Sequence, residues 1–240
     1  PIFPATGPQG SWMVWQWKPF LWQAGGVAID AEKTRLTFNS EAGVAALSLW
    51  KDLYTSLRLD VFTNDFDVAF ASKHLAMAMD GPWNLPRYNK ILKGMDWGFA
   101  PLPAGPNKRA TIVGGEYLAI FKQSKYPQES WNFIKWLVSP EIQAFWAMKS
   151  GYLPIRRAVS KVPEFQAYLK AHPNFKVFVD EMEYGQAERP IDFAQLEIQR
   201  YIAEALERAT VGQQDVKTVL DESAAKSQKA MEDKQRAMNE

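Results

Sequence analysis

Apolar residues recur at helical spacing in the segment that follows Asn39 and Ser40, and either of these two residues can cap the start of a helix. The recurring residues are Val44, Leu47, Trp50, Tyr54 and Leu57. The pattern predicts a long helix that buries one face.

Proline and glycine positions mark several other predicted helices. Pro127 and Pro140 suit the first turn of a helix, and Gly151 suits the residue just after the end of the second one. The further predicted helical ranges are 65–72, 86–92, 163–172, 175–183, 193–209 and 215–234.

Short apolar runs between turn residues predict strands. The predicted strands are 75–79, 96–100, 111–113 and 117–121, with short extended pieces over 27–38. The first run stops at Asp80-Gly81-Pro82, so Trp83 is expected just past a strand end. Alternation of short strands with helices favours an α/β layered architecture over a helical bundle or a β-sandwich.

Charge and composition exclude several function classes. The formal net charge is +1, too small to neutralise phosphates, so nucleic acid is not expected as a partner. No apolar run approaches the roughly 20 residues that span a bilayer, which favours a soluble, processed or truncated chain. The sequence has no cysteine, and its two histidines lack the spacing of metal ligands or of a catalytic triad. We therefore predict no metal and no cofactor, and no catalysis by cysteine or histidine.

Ten tryptophans are an unusual number for 240 residues. Tryptophan is enriched where a flat apolar face meets a partly polar partner, and a sugar is such a partner. For any single tryptophan, burial in the core is the simpler interpretation. The tryptophan content is therefore a weak indication of carbohydrate binding, and the tryptophans at predicted turns are the informative ones.

Four groups at predicted turns are expected to meet at one end of the sheet, where open α/β folds bind ligands. A sugar needs an apolar plate for its C–H face and planar hydrogen-bonding groups for its hydroxyls. The groups that supply them are Trp12 with Trp15, Trp83, the run Gly114, Gly115, Glu116 and Tyr117, and the loops of Arg156 or Arg189.

Two other function classes stay open at this point. A glycoside hydrolase needs only two carboxylates, and the sequence offers Asp65, Asp67, Asp80, Glu116, Glu181 and Glu183. The sequence does not give their separations. A protein-interaction module that presents its tryptophans to another chain is the third class.

Eight segments stand in a distinctive order along nearly the whole chain: SWMVW at 11–15, QAGG at 23–26, FNSEAGVAAL at 38–47, AMAMDGPW at 76–83, DWGFAPLPAGP at 96–106, VGGEYLAI at 113–120, SKYPQESWNFIKWLVSPEIQAFWAMKSGYLP at 124–154 and ERP at 188–190. This order resembles the extracellular solute-binding proteins of bacterial ABC sugar importers, in the family 1 branch that binds maltose and glycerol phosphate.

The resemblance implies a periplasmic-binding-protein-like (type II) fold of two α/β lobes, helix-rich, which close by hinge bending on a solute held between them. Because the chain is much shorter than a complete member, we expect it to be truncated and to lack the N-terminal lobe and the signal peptide. Residues 1–118 and 156–240 are expected to form the C-terminal lobe. Residues 119–155 are expected to form a helical excursion that packs on the missing lobe.

The resemblance also implies roles for the candidate residues. Trp83 would stack on a sugar ring, and the backbone amides of Gly114 and Gly115 would bind hydroxyls. Glu116 and Arg189 would bind equatorial oxygens or an acidic substituent. Trp12, Trp15, Tyr117 and Arg156 complete the predicted ligand-binding set, and none is expected to do chemistry on the solute.

Partners and location follow from the same resemblance. It implies a carbohydrate ligand, ABC transporter permease subunits as membrane partners, a periplasmic or extracellular location, and a lipid anchor on the precursor. The helix after Pro127 is apolar on nearly every side, so it has to be buried against other protein surface on more than one side. We therefore expect the chain to self-associate by exchanging or pairing residues 119–155.

Overall fold

The structure, a computed structural model, describes residues 10–56, 66–187 and 194–239. The α-helices in these ranges are α1 (Gly10–Gln23), α2 (Glu41–Ser56), α3 (Phe66–Ala71), α4 (Leu85–Ile91), α5 (Pro127–Leu137), α6 (Pro140–Ser150), α7 (Pro163–Ala171), α8 (Pro173–Glu181), α9 (Gln195–Thr210) and α10 (Val216–Asn239). Short 3-10 turns occupy Pro82–Asn84, Arg157–Lys161 and Met182–Tyr184.

The β-structure of the described residues is small. Strands β1 (Thr111–Val113) and β2 (Gly185–Ala187) pair in parallel, with Ile112 opposite Gln186. An isolated antiparallel bridge joins Ile29 to Leu36 within the predicted extended pieces. The prediction of a strand at 111–113 is confirmed.

The strands predicted at 75–79, 96–100 and 117–121 do not form. In the described part of the chain no strand pairs with these segments, and a strand needs a partner to complete its ladder of backbone hydrogen bonds. Met77 and Tyr117 are largely exposed, whereas Trp97 and Phe99 of the segment 96–100 pack against a core without forming a strand.

Helix α1 was not predicted. Pro19 lies inside it, and a proline within a helical pattern normally argues for a break. Trp17 and Leu21, one turn apart, are both fully buried. Burial of this face therefore overrides the local signal of the proline.

The described residues divide into two compact units. Unit 1 comprises those within Pro1–Met79, Leu102–Val113 and Tyr184–Glu240, and unit 2 comprises Asp80–Pro101 and Gly114–Glu183. The main chain passes from one unit to the other after Met79, Pro101, Val113 and Glu183. The assignment of 119–155 to a separate lobe stays a prediction.

Unit 1 is built on a large core contributed mainly by α1, α2, α9 and α10. Helix α9 buries Ile198, Ile202, Ala205, Leu206 and Ala209, which recur every three or four residues and so form one continuous face. Trp17, Trp50 and Phe38 are among the fully buried side chains of the same core.

Unit 2 has a smaller core. Leu85, Ala144, Ala147, Val159, Phe165 and Phe175 form it. Helices α5, α6, α7 and α8 each begin with a proline in the first turn, where the missing N–H costs nothing. Helix α5 contributes no buried residue. Across the described ranges, no helix combines the length and apolarity that crossing a bilayer requires.

Candidate functional site

The turn that carries Trp83 is held by the carboxylate of Asp80. This carboxylate accepts hydrogen bonds from the backbone N–H of Gly81 at 2.7 Å, from Asn84 Nδ2 at 2.8 Å and from the Tyr88 hydroxyl at 2.5 Å. A carboxylate with three donors is a strong local anchor. Asp80 therefore fixes the 3-10 turn, which contains Trp83, and the start of α4.

Two glycines bring Trp83 next to Tyr152. A Cβ at Gly81 would lie 2.0 Å from the Trp83 ring, so the indole occupies the space where a side chain would be. Gly151 closes α6 in the left-handed conformation at φ +82, and a Cβ there would lie 2.4 Å from the Pro82 carbonyl oxygen. As a result, the ring centroids of Trp83 and Tyr152 lie 6.4 Å apart, with the planes tilted by 43°.

The carboxylate of Glu116 acts on the phenol of Tyr152. Partial burial raises the pKa of the Tyr152 phenol above its usual 10.0, and the negative charge of Glu116 raises this pKa further. The phenol is therefore held in its neutral form. Trp83, Glu116 and Tyr152 together are called the aromatic–carboxylate cluster below.

The other candidates of unit 2 lie around the ends of its elements. Gly114 and Gly115 directly follow β1 and are exposed, and a Cβ at Gly115 would meet no atom within 4 Å. Tyr117 is also exposed. The guanidinium of Arg156 donates to the Val138 carbonyl oxygen at 3.2 Å and so satisfies the C-terminal end of α5. Their roles in binding stay predictions.

Trp12 and Trp15 belong to unit 1. Both are half-buried on α1, and their rings are parallel within 4° with centroids 6.4 Å apart. They form an aromatic plate of their own. Arg189 lies outside the described residues, so its predicted role stays a prediction.

Comparison with known proteins decides the family. Residues 4–186 match the family described as bacterial extracellular solute-binding protein. This chain belongs to that family. No curated protein sequence matches the chain.

Solved structures agree with the assignment. The cyclic alpha-maltosyl-1,6-maltose binding protein of Arthrobacter globiformis superposes with a TM-score of 0.84 at 23% identity, over 97% of this chain and 59% of its own. The sugar-binding protein MalE of Xanthomonas citri superposes with a TM-score of 0.79 at 25% identity, over 94% of this chain and 58% of its own. UgpB of Mycobacterium tuberculosis, solved with glycerophosphocholine, superposes with a TM-score of 0.74 at 22% identity, over 94% of this chain and 57% of its own.

The predicted fold is thereby confirmed as a helix-rich, periplasmic-binding-protein-like (type II) fold. The chain spans about three fifths of the length of these solved structures. Its family is one of solute-binding proteins and is described as extracellular.

Two of the carboxylates considered for hydrolysis lie in unit 2 near Trp83 and Tyr152. Asp80 anchors the turn that carries Trp83, and the charge of Glu116 acts on the Tyr152 phenol. Asp65 lies outside the described residues. The described ranges hold no group of three or more acidic or histidine side chains arranged to hold a metal ion.

Tyr152 is the site residue that sequence reasoning missed. It follows Gly151, which the sequence marks as the end of a helix. An aromatic residue directly after a left-handed helix cap is a usable signal, because the cap fixes the direction in which the chain leaves the helix. Its neighbour Trp83 is distant in sequence, so the pairing itself is not readable from local patterns.

Proposed function

We propose that this chain provides part of the binding site for a sugar or sugar-like polyol, does no chemistry on it, and belongs to a protein that delivers the solute to ABC transporter permease subunits. The observation that carries the proposal is the aromatic–carboxylate cluster. An indole face suits the C–H face of a sugar ring, and the Glu116 carboxylate and the Tyr152 oxygen suit its hydroxyls. Trp12 and Trp15 offer a second aromatic plate.

The other candidate residues are proposed to complete the site. The exposed amides of Gly114 and Gly115, with Tyr117, Arg156 and Arg189, would bind hydroxyls at its edges. For the whole protein we propose a periplasmic or extracellular location, as the description of the family suggests. We also propose a lipid anchor on its precursor.

The direct test is Trp83→Ala in the longer protein that contains this chain, titrated with maltose by calorimetry. Loss of the stacking face is expected to weaken binding by about 1–3 kcal/mol. The control is Leu196→Ala, at an exposed apolar position of unit 1. Unchanged affinity in a folded Trp83→Ala protein would remove Trp83 from the site.

The chain alone is expected to bind sugar weakly, because enclosure by both lobes supplies much of the affinity of a closing site. Submicromolar binding of maltose to the 240-residue chain would contradict this expectation. Chromogenic glycosides test the hydrolase alternative, and release of the chromophore above the rate of a Glu116→Gln control would support it.

We further propose that the isolated chain self-associates through the region 119–155. Helix α5 leaves Trp131, Phe133 and Trp136 exposed, and α6 leaves Phe145 and Trp146 exposed. Next to them, a groove of about 800 Å³ is lined by Leu118, Ile120, Phe121, Phe133 and Ile134 among others. Apolar surface of this extent favours contact with another apolar surface.

Light scattering at micromolar concentration tests this proposal. The expected result is a species larger than the 27.3 kDa monomer. Trp136→Glu should shift the chain toward the monomer, whereas Leu196→Glu, at an exposed position of unit 1, should not. A clean monomer of the unmodified chain rejects the proposal.

A further inference from the structure

The indole of Trp83 rests on the backbone of Gly81. A Cβ at Gly81 would lie 2.0, 2.1 and 2.4 Å from Cη2, Cζ3 and Cζ2, three adjacent carbons of the six-membered ring of Trp83. A point this close to three adjacent ring carbons lies over the ring and not beyond its edge. One face of that ring is therefore covered by the backbone at Gly81, and a solute that stacks on it has to use the opposite face.

The conformation of the turn does not itself require a glycine at this position. Gly81 has φ −113 and ψ 168, an extended conformation that any residue adopts. What excludes a side chain is the ring of Trp83. Gly81 therefore serves the placement of the indole and not the conformation of the chain.

The carboxylate of Asp80 holds the residues on both sides of Trp83. It accepts hydrogen bonds from the backbone N–H of Gly81 at 2.7 Å and from Asn84 Nδ2 at 2.8 Å. Hydrogen bonds to a charged acceptor are the stronger kind. The chain is thus fastened directly before and directly after the tryptophan that it presents.

The same carboxylate connects this turn to the core of unit 2. It accepts a hydrogen bond from the hydroxyl of Tyr88 at 2.5 Å, and Tyr88 is buried. The centroid of the Tyr88 ring lies 5.8 Å from that of Trp97 and 6.0 Å from that of Phe99, and both of these side chains pack against the core. A packed aromatic group therefore fixes the position of Asp80, and through Asp80 that of the turn.

We propose that Asp80 and Gly81 are positioning residues for sugar binding, which hold Trp83 in place before the solute arrives and present one face of its indole. The inference rests on the proposed function, since it concerns how the same site reaches its affinity. Both residues act through the indole, so neither has to touch the sugar. An indole that is already in place loses little conformational freedom on binding, and more of the stacking energy is retained as affinity.

The experiment uses the 240-residue chain labelled with 5-fluorotryptophan and titrated with maltose, followed by 19F NMR, which detects weak binding. The Trp83 resonance is assigned by its absence in Trp83→Phe. Gly81→Ala is the decisive variant, because its backbone is unstrained and only the indole has to move. It should shift the Trp83 resonance before any sugar is added, and it should weaken maltose binding by about 3- to 10-fold. Urea unfolding should show little change in stability.

Three further variants test the connection to the core. Asp80→Ala removes the carboxylate and should weaken maltose binding as much as Gly81→Ala does, whereas Asp80→Asn keeps one acceptor oxygen and should restore part of the affinity. Tyr88→Phe removes only the hydroxyl and should weaken binding by about 2- to 3-fold. Tyr168→Phe removes a hydroxyl from another tyrosine packed on the same core, so it is the matched control and should leave the Trp83 resonance and the affinity unchanged.

The outcomes separate this inference from the proposed function. If maltose shifts the Trp83 resonance of the unmodified chain and Gly81→Ala binds maltose equally well, the inference is overturned and the proposed function stands. If Asp80→Ala and Tyr88→Phe lower the stability while the Trp83 resonance of the sugar-free chain stays in place, their role is structural only, which also overturns the inference. If maltose does not shift the Trp83 resonance of the unmodified chain, the proposed function itself fails, and this inference fails with it.

Discussion

The two units use the same aromatic residues in opposite ways. The ten tryptophans divide equally between them. Unit 1 buries Trp17, Trp22 and Trp50, whereas unit 2 leaves Trp131, Trp136 and Trp146 at 49%, 53% and 51% exposure. Tryptophan content alone therefore does not distinguish a core from a contact surface.

The difference follows from the helices that surround each core. In unit 1, α9 and α10 supply long amphipathic faces that cover the aromatic side chains of α1 and α2. In unit 2 short helices form a core of only a few residues, and α5 buries none of its residues there. Unit 1 is consequently expected to set the stability of the chain, and unit 2 to provide its contact surfaces.

The sharpest test of this difference is Trp17→Ala against Trp136→Ala. Trp17 is fully buried, so its truncation should lower the free energy of unfolding by about 3–5 kcal/mol. Trp136 is half exposed, and its truncation should cost less than about 1 kcal/mol. Urea unfolding followed by circular dichroism measures both.

The protein concentration adds a second readout. If α5 is covered in a self-associated form, the effect of Trp136→Ala on the unfolding midpoint should grow with concentration, whereas that of Trp17→Ala should stay constant. If Trp136→Ala lowers the unfolding midpoint equally at all protein concentrations, the contrast between the two units is contradicted.

The second test concerns the smaller core of unit 2. Gly151→Ala places a side chain at a left-handed position and against the Pro82 carbonyl oxygen. It should lower the free energy of unfolding by about 1–3 kcal/mol, and it should also perturb Trp83, which lies over the same turn. Gly115→Ala is the control, because its Cβ would meet open space. Labelling with 5-fluorotryptophan makes Trp83 visible by 19F NMR among the ten tryptophans, once its resonance is assigned by its absence in Trp83→Phe. A Trp83 resonance that is unaltered in Gly151→Ala would separate Gly151 from the site.

The sequence predicted those parts of the fold that have local signals. Helices α5 and α6 begin at Pro127 and Pro140 as expected, and Gly151 ends α6 in the left-handed conformation. Proline in the first turn and glycine after the last turn act through their own backbone geometry, so no distant residue is needed. The strands predicted at 75–79, 96–100 and 117–121 failed because pairing depends on a partner far away in sequence.

The candidate site shows the same limit. The turn at Asp80-Gly81-Pro82 was predictable from its composition, and it places Trp83 as a turn residue. The preceding strand was wrong, and the partner Tyr152 was missed, since 68 residues separate the two rings in sequence while 6.4 Å separates them in space. Contacts of this kind are set by packing and not by spacing along the chain.

The third test uses pH. In unit 1, Asp221 of α10 accepts hydrogen bonds from Lys217 Nζ and from Asn39 Nδ2, the latter at 2.8 Å, and these hold the pKa of Asp221 below its usual 3.8. A lowered pKa stabilises the folded state above about pH 3.8, and the contribution is lost as the pH falls through the folded-state value. Asp221→Asn should therefore lower the melting temperature by about 1–2 °C at pH 7 and have no effect in strong acid.

The matched control lies in unit 2. Asp180 pairs with Lys176 one turn away on α8, with both side chains more than half exposed. It joins no second element, so Asp180→Asn should have a smaller effect than Asp221→Asn at pH 7. An Asp221→Asn effect that persists unchanged at pH 2 would show that the loss does not come from the charge.

The smallest expected effect tests how well the dense core of unit 1 satisfies its polar groups. Ser227 on α10 is fully buried, and its hydroxyl has no hydrogen-bond partner among the described residues. A buried hydroxyl without a partner destabilises the folded state, because it leaves its hydrogen bonds to water behind. Ser227→Ala should therefore leave the melting temperature unchanged or raise it slightly, whereas Ser227→Val should lower it by overpacking. A clear fall in Ser227→Ala would contradict this expectation, because the hydroxyl would then contribute to the stability of the folded state.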